Sequence, residues 1–192
     1  VTLEDRQKTV ALARNVKAVV FGGLGVLFPA AVFIDGQREI LRQRSHIDGQ
    51  GMSFLRSAGL RIAITTAGGD EEPFTDVLVR RMNSLASVEN GTWRPVALFK
   101  NVVREGRVDA VARWLDTEGI TWQECAYMGD DMEDYEMMNT AGFPSAPISA
   151  EQFIKDIALY VSDRPAGYGA VRDLSNFILD SKGVDMRTLA LQ

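Results

Sequence analysis

Lys17-Ala18-Val19-Val20-Phe21-Gly22-Gly23-Leu24-Gly25-Val26-Leu27 is the stretch that decides the fold. Ala18 to Phe21 is a short apolar run with β-branched residues, cut off by two glycines. Such a run reads as a buried strand of a parallel sheet that feeds a loop at its C-terminal edge. In open α/β sheets ligands sit outside that edge, so chemistry is expected in this loop. Here the loop holds glycines and aliphatic side chains, with no group able to act as nucleophile, acid or metal ligand. Read by itself, it is a tight turn closing a core strand.

The 192 residues suit one α/β domain, or a domain with a small appendage. A hydrophobic fraction of 46% is enough for a sizeable core and too high for a disordered chain. The formal net charge is −5 and no basic cluster stands out, which argues against nucleic-acid binding through phosphate neutralisation. The apolar runs are too short to span a membrane, and the charged N-terminus is unlike a signal peptide. The single cysteine, Cys125, reads as a small core residue of a protein in a reducing cytoplasm. The lone His46 has no companion at metal-ligand spacing.

Leu3 to Arg14 reads as a helix with Thr2 as N-cap and Glu4 and Asp5 in its first turn. Asp35-Gly36, between the runs Ala31 to Ile34 and Glu39 to Leu41, signals a hairpin with positive φ at both turn residues. Asp48-Gly49-Gln50-Gly51 opens a helix to about Ala58, and Leu60 to Thr66 is a second core strand. Asp70 to Leu85 is read as a helix with Asp70 as N-cap and Pro73 in its first turn. Val108 to Glu118 is an amphipathic helix preceded by Arg107, and Glu124 to Met128 is a further strand. Gly129-Asp130-Asp131-Met132-Glu133-Asp134 follows that strand. Its hard carboxylates suit Mg²⁺, with a solvated acidic cap on the next helix as the plainer alternative. Thr66 can donate to a phosphate oxygen or merely close its strand. An arginine such as Arg107 at a helix start commonly reads as solvated surface charge.

From about Lys17 to Leu179 the chain resembles the haloacid dehalogenase (HAD) superfamily. The branch it is most similar to is the tetrameric one typified by 3-deoxy-D-manno-octulosonate 8-phosphate phosphatase. The C-terminal domain of some CMP-sialic acid synthetases resembles the same branch. Gly25-Val26-Leu27, Thr66, Gly129-Asp130-Asp131-x-x-Asp134 and Ala166-Gly167-Tyr168-Gly169-Ala170-Val171-Arg172 carry the likeness. Asp48-Gly49-Gln50-Gly51 matches an Arg-Asp-Gly-x-Gly motif, with Ile47 in place of the arginine. In the first motif Gly22 stands for the nucleophilic Asp and Leu24 for the general acid. Arg107 stands for the third-motif lysine, and Ala67-Gly68 follows Thr66 where the family has Gly-Arg.

The resemblance implies a Rossmann-like parallel sheet flanked by helices, with a small β-hairpin flap that packs subunits together. The helix within 1–16 reads as a leader joining the domain to something upstream, and the resemblance implies a HAD-like domain over 17–182 and a tail over 183–192. Thr66, Arg107 and Asp48 become substrate-binding residues, and Asp130 and Asp131 ligands of a weakly held Mg²⁺. With Gly22 and Leu24 the expected state is a non-catalytic oligomerisation or regulatory domain. That domain would be a cytoplasmic homo-oligomer, a tetramer, fused to or partnered with a cytidylyltransferase of sialic or octulosonic acid metabolism. Two alternatives stand beside it: an active Mg²⁺-dependent phosphatase with an atypical site, and a module that binds a metal or an acidic sugar.

Overall fold

In the computed structural model, which describes residues 2–69 and 73–189, Ala18–Gly22 forms β1, every residue of it buried. It pairs in parallel with β4 (Arg61–Thr65) on one side and β6 (Cys125–Met128) on the other. Beyond β4 lies β5 (Ala97–Phe99); beyond β6 lie β7 (Phe143–Ala146) and β8 (Tyr160–Val161). The sheet order is β5-β4-β1-β6-β7-β8, all parallel. The expected parallel sheet flanked by helices is therefore present.

The unbroken apolar run of β1 follows from having a core on both faces. Val19 and Phe21 pack with residues of α1 (Leu3–Asn15), α2 (His46–Ser57), α3 (Pro73–Asn83) and α8 (Ala170–Ser181). Ala18 and Val20 pack with α5 (Arg104–Glu118), α6 (Tyr135–Thr140) and α7 (Gln152–Ile157). Each fully buried Val or Phe contributes about 1.5–3 kcal/mol, so losing either face would unseat the strand. Cys125 is buried in the second cluster, and burial pushes its thiol up to about 12.

Thr2 caps α1 as its residue type suggests. Its hydroxyl accepts the Asp5 N–H at 3.1 Å while the Asp5 carboxylate accepts the Thr2 N–H at 2.9 Å. The helix is tied to the domain at its other end. Arg14 Nε donates to the Ser181 carbonyl at 2.9 Å, and Ala13 and Val16 are in the core.

Several boundaries differ from the sequence reading. α2 starts at His46, capped by the Ser45 hydroxyl, instead of at Asp48. α5 begins at Arg104 instead of Val108, because its first turn carries no apolar residue to mark it. α3 starts at Pro73; the expected cap Asp70 lies outside the described residues. The segment around Asn90 to Trp93 follows a short helix, α4 (Ala86–Glu89), and buries Trp93 beneath the Arg56 guanidinium at 5.1 Å.

The hairpin forms from β2 (Phe33–Ile34) and β3 (Glu39–Leu41), but its turn differs from the one expected. Ile34 faces Glu39, so the loop runs from Asp35 to Arg38 and only Gly36 has positive φ, at 95°. Asp35 instead accepts the N–H groups of Gln37 and Arg38 at 3.0 and 3.1 Å. Phe33, Ile34, Ile40 and Leu41 are all exposed on this hairpin. Among the described residues no helix is long and apolar enough to cross a membrane.

Candidate functional site

The loops leaving the three central strands converge at the C-terminal edge of the sheet around a pocket of about 270 Å³. Gly22 to Gly25 follow β1, Thr66 to Gly68 follow β4, and Asp130 and Asp131 follow β6. Arg107 enters from α5 and Arg42 from the segment after β3. This is the position at which a doubly wound sheet places a ligand. Thr66, Arg107, Asp130 and Asp131 are thus brought together, with Gly22 and Leu24 on the same wall. The Thr66 hydroxyl accepts the Gly68 N–H at 3.1 Å, which folds the loop and leaves its proton free to donate.

Arg107 is buried, not solvated. Its Nη1 donates to Asp134 Oδ1 and to the Tyr127 hydroxyl at 3.1 Å. Its Nε and Nη2 donate to the Val102 carbonyl at 3.3 and 3.2 Å. The Tyr127 hydroxyl donates to the same Asp134 oxygen at 2.5 Å and lies 3.3 Å from the Thr65 hydroxyl. The Asp130 N–H donates to the other Asp134 oxygen at 2.8 Å. Burial opposes the Arg107 charge, but Tyr127 and Asp134 outweigh it and raise the guanidinium's pKa. Burial also pushes the Tyr127 phenol well above its usual value, with Asp134 adding to the effect. The positive charge is therefore neutralised inside the protein.

Asp130 is the exception to this closed network. Burial, then the neighbouring Asp134 and Asp131 carboxylates, push its carboxyl up to about 8. Its side chain packs over Gly25, where any Cβ would overlap the carboxylate. Asp131, also on the pocket wall, accepts the Met132 N–H at 2.6 Å as a helix cap.

A resident Mg²⁺ needs several hard oxygens converging on one point. Among the described residues no three His, Cys, Asp or Glu side chains are grouped to hold an ion. Gly22 supplies no side-chain oxygen and both Asp134 oxygens are engaged, so this donor set does not fit a tightly held cation.

Asp48 does not join the pocket. Its two oxygens accept the N–H groups of Gly169 and Arg172, each at 3.0 Å, at the start of α8. A Cβ on Gly51 would lie 2.9 Å from Arg172 Cα, so this glycine lets α2 and α8 approach closely. The Gly167 N–H in turn donates to the Val26 carbonyl at 3.1 Å, holding the loop after β1. The two glycine-rich motifs are thus a clamp that shapes the pocket from behind.

Two groups at the site, Arg42 in the pocket wall and Tyr127 buried beneath it, escaped the sequence reading. Arg42 packs between the rings of Phe28 and Phe74, at 5.6 and 5.2 Å, and pairs with Glu39 at 2.6 Å. No local pattern announces that arrangement. Tyr127 did leave a signal: a phenol inside an apolar strand requires a buried hydrogen-bond partner.

Residues 56–172, more than half of the chain, match the haloacid dehalogenase-like hydrolase family. The chain belongs to that family. Within it the chain is KdsC-like. It is 27% identical over 169 residues to the 3-deoxy-D-manno-octulosonate 8-phosphate phosphatase KdsC of Haemophilus influenzae, covering 88% of this chain and 86% of that one. It is 28% identical over 155 residues to an N-acylneuraminate cytidylyltransferase of Oncorhynchus mykiss. That match covers 81% of this chain but spans only 33% of the relative's length. A HAD superfamily (subfamily III A) hydrolase from Legionella pneumophila superposes with a TM-score of 0.81 at 24% identity, covering 94% of this chain and 91% of that one. The Moraxella catarrhalis phosphatase of the same name as KdsC, solved with magnesium ion, phosphate ion and KDO, superposes with a TM-score of 0.75 at 20% identity, covering 92% and 93%. These likenesses show the shared fold, and the divalent ion belongs to the Moraxella protein.

Proposed function

We propose that this domain is a non-catalytic member of the KdsC-like branch. Its role is that of an assembly and regulatory module in nonulosonic or octulosonic acid metabolism. One observation carries the reading: the pocket wall that would supply the nucleophile and proton donor supplies Gly22 and Leu24. Covalent phosphoryl transfer to the enzyme requires a nucleophilic side chain. A missing proton donor for the leaving alcohol costs about 10²–10⁴-fold more. The commitment of Arg107 to Asp134 and Tyr127 supports the same reading, because the pocket keeps little free positive charge to meet a phosphate dianion.

The assembly role is supported by the hairpin, where Phe33 and Ile34 on β2 and Leu41 on β3 form an exposed apolar surface. Exposed clusters of this kind mark protein–protein contact sites. A tetramer is the proposed state. A cytidylyltransferase, fused or separate, is the proposed partner, on the strength of the match to a third of such an enzyme. Light scattering on the natural chain and on Phe33→Ser/Leu41→Ser tests this. The natural chain should be a tetramer, and the variant smaller with unchanged far-UV circular dichroism. A monomeric natural chain would contradict the proposal.

A second reading, a Mg²⁺-dependent sugar-acid phosphatase with an atypical site, draws on Thr66, Asp130 and Asp131 sharing the pocket. It would require the ion to displace the proton that the Asp130 carboxyl keeps up to about pH 8, and a nucleophile from outside the first loop.

A further inference from the structure

A second pocket, of about 530 Å³, lies between the first half of α2 and the end of α3. It shares no lining residue with the first. Arg44, His46, Gln50, Ser53 and Arg81 supply its polar lining, and no acidic residue contributes.

The half-buried Arg44 is held in an unfavourable place. Its Nη2 lies 2.8 Å from where a Gly49 Cβ would be, so the guanidinium rests on the first turn of α2. The N-terminal end of a helix is electrostatically positive and disfavours a cation. Burial and the nearby Arg81 charge also act against the Arg44 charge. Elsewhere Arg42, Arg61, Arg107 and Arg164 each have a carboxylate partner. Among the described residues Arg44 and Arg81 have none. Ser53 is only 8% exposed, and its hydroxyl has no hydrogen-bond partner among the described residues although it lines the pocket. Gln50 gives its carbonyl oxygen to Arg172 at 2.8 Å, which leaves its amide NH₂ as a donor.

An oxyanion would offset all of these deficits at once. Guanidinium groups present paired N–H donors that match two oxygens of a phosphate, and a hydroxyl and an amide NH₂ complete a shell of donors. We propose that this pocket binds a small phosphate-class oxyanion, with Arg44 and Arg81 as its charged donors and Ser53 and Gln50 as its neutral ones. The ligand is either inorganic phosphate or the phosphate group of a small ester. This site is independent of the pocket after β1, and the proposal holds whether or not the domain turns over a substrate.

Isothermal titration of the full chain with inorganic phosphate, and separately with glycerol 3-phosphate, at constant ionic strength tests it. Saturable binding to the natural chain is expected, weakened about ten- to hundredfold by Arg44→Gln or by Arg81→Gln. Arg113→Gln, an exposed change on α5, should leave it unaltered. Thr66→Ala separates the two pockets and should also leave it unaltered. Arg81 is exposed, so its variant keeps the fold if Arg44→Gln does not. Phosphate should raise the melting temperature of the natural chain and not that of the arginine variants. Binding lost in Thr66→Ala but kept in the arginine variants would overturn the proposal, as would the absence of saturable binding to the natural chain. Stronger binding of the ester than of free phosphate would identify the ester as the source.

Discussion

Asp130→Asn is the substitution whose consequence can be worked most fully from the structure. The Asp130 carboxyl rises from 3.8 to about 8, chiefly through burial and then through Asp134. Between those values the native state holds a proton that the unfolded state has released. The slope of unfolding free energy with pH is then negative, and stability present below pH 4 is lost as pH rises through 8. Each pH unit in that window is worth up to about 1.36 kcal/mol, so the ceiling between pH 5 and 8 is about 4 kcal/mol. Asp130 faces the mouth of the pocket, where solvent screens part of the effect, so about 2–4 kcal/mol is expected. Asparagine keeps the shape and a donor toward Asp134 without the titration. Urea unfolding in metal-free buffer should therefore show the variant gaining on the natural protein steadily from pH 5 to 8. Parallel pH profiles would mean that Asp130 carries no raised pKa in the folded protein.

Three further outcomes follow from the same geometry. Arg107→Met should destabilise by about 3–5 kcal/mol, read by urea unfolding, because it strands the buried Asp134 carboxylate. Adding Asp134→Asn should recover part of that loss. Asp48→Ala should cost about 2–4 kcal/mol, since it removes two charge-assisted acceptors from the start of α8. Its thermal melt should therefore shift down. Gly25→Ala should cost more than about 1 kcal/mol, because φ is 83° and the new Cβ meets Asp130. A natural melting temperature in that variant would mean that Asp130 does not pack over Gly25.

The central strand and its edge were legible because their signal is local. Five consecutive buried residues in β1 imply a core on both faces, and glycines mark where the chain leaves the sheet. The pocket was legible too, since Gly22, Thr66 and Asp130 all sit where strands end and a parallel sheet gathers its strand ends at one edge. β5, β7 and β8 were not recognised. β7 carries Pro144 and Ser145, which read as loop, and β8 has only 2 residues. The positions of Arg107 and Asp48 were hidden for another reason. A charged residue near a helix start has the same local pattern whether it faces water or a buried partner. Only the tertiary contacts with Asp134, Tyr127 and the α8 backbone distinguish the two. Arg42 between two aromatic rings is the same kind of case.

A phosphatase fold without phosphatase turnover is what we propose for this chain. Phosphate release from a panel of sugar-acid phosphates with Mg²⁺, comparing the natural chain with Asp130→Ala, tests it most directly. Release indistinguishable from the uncatalysed rate is expected in both proteins. Turnover by the natural chain that disappears in Asp130→Ala would contradict it and would place a working metal site and an unrecognised nucleophile in the pocket after β1.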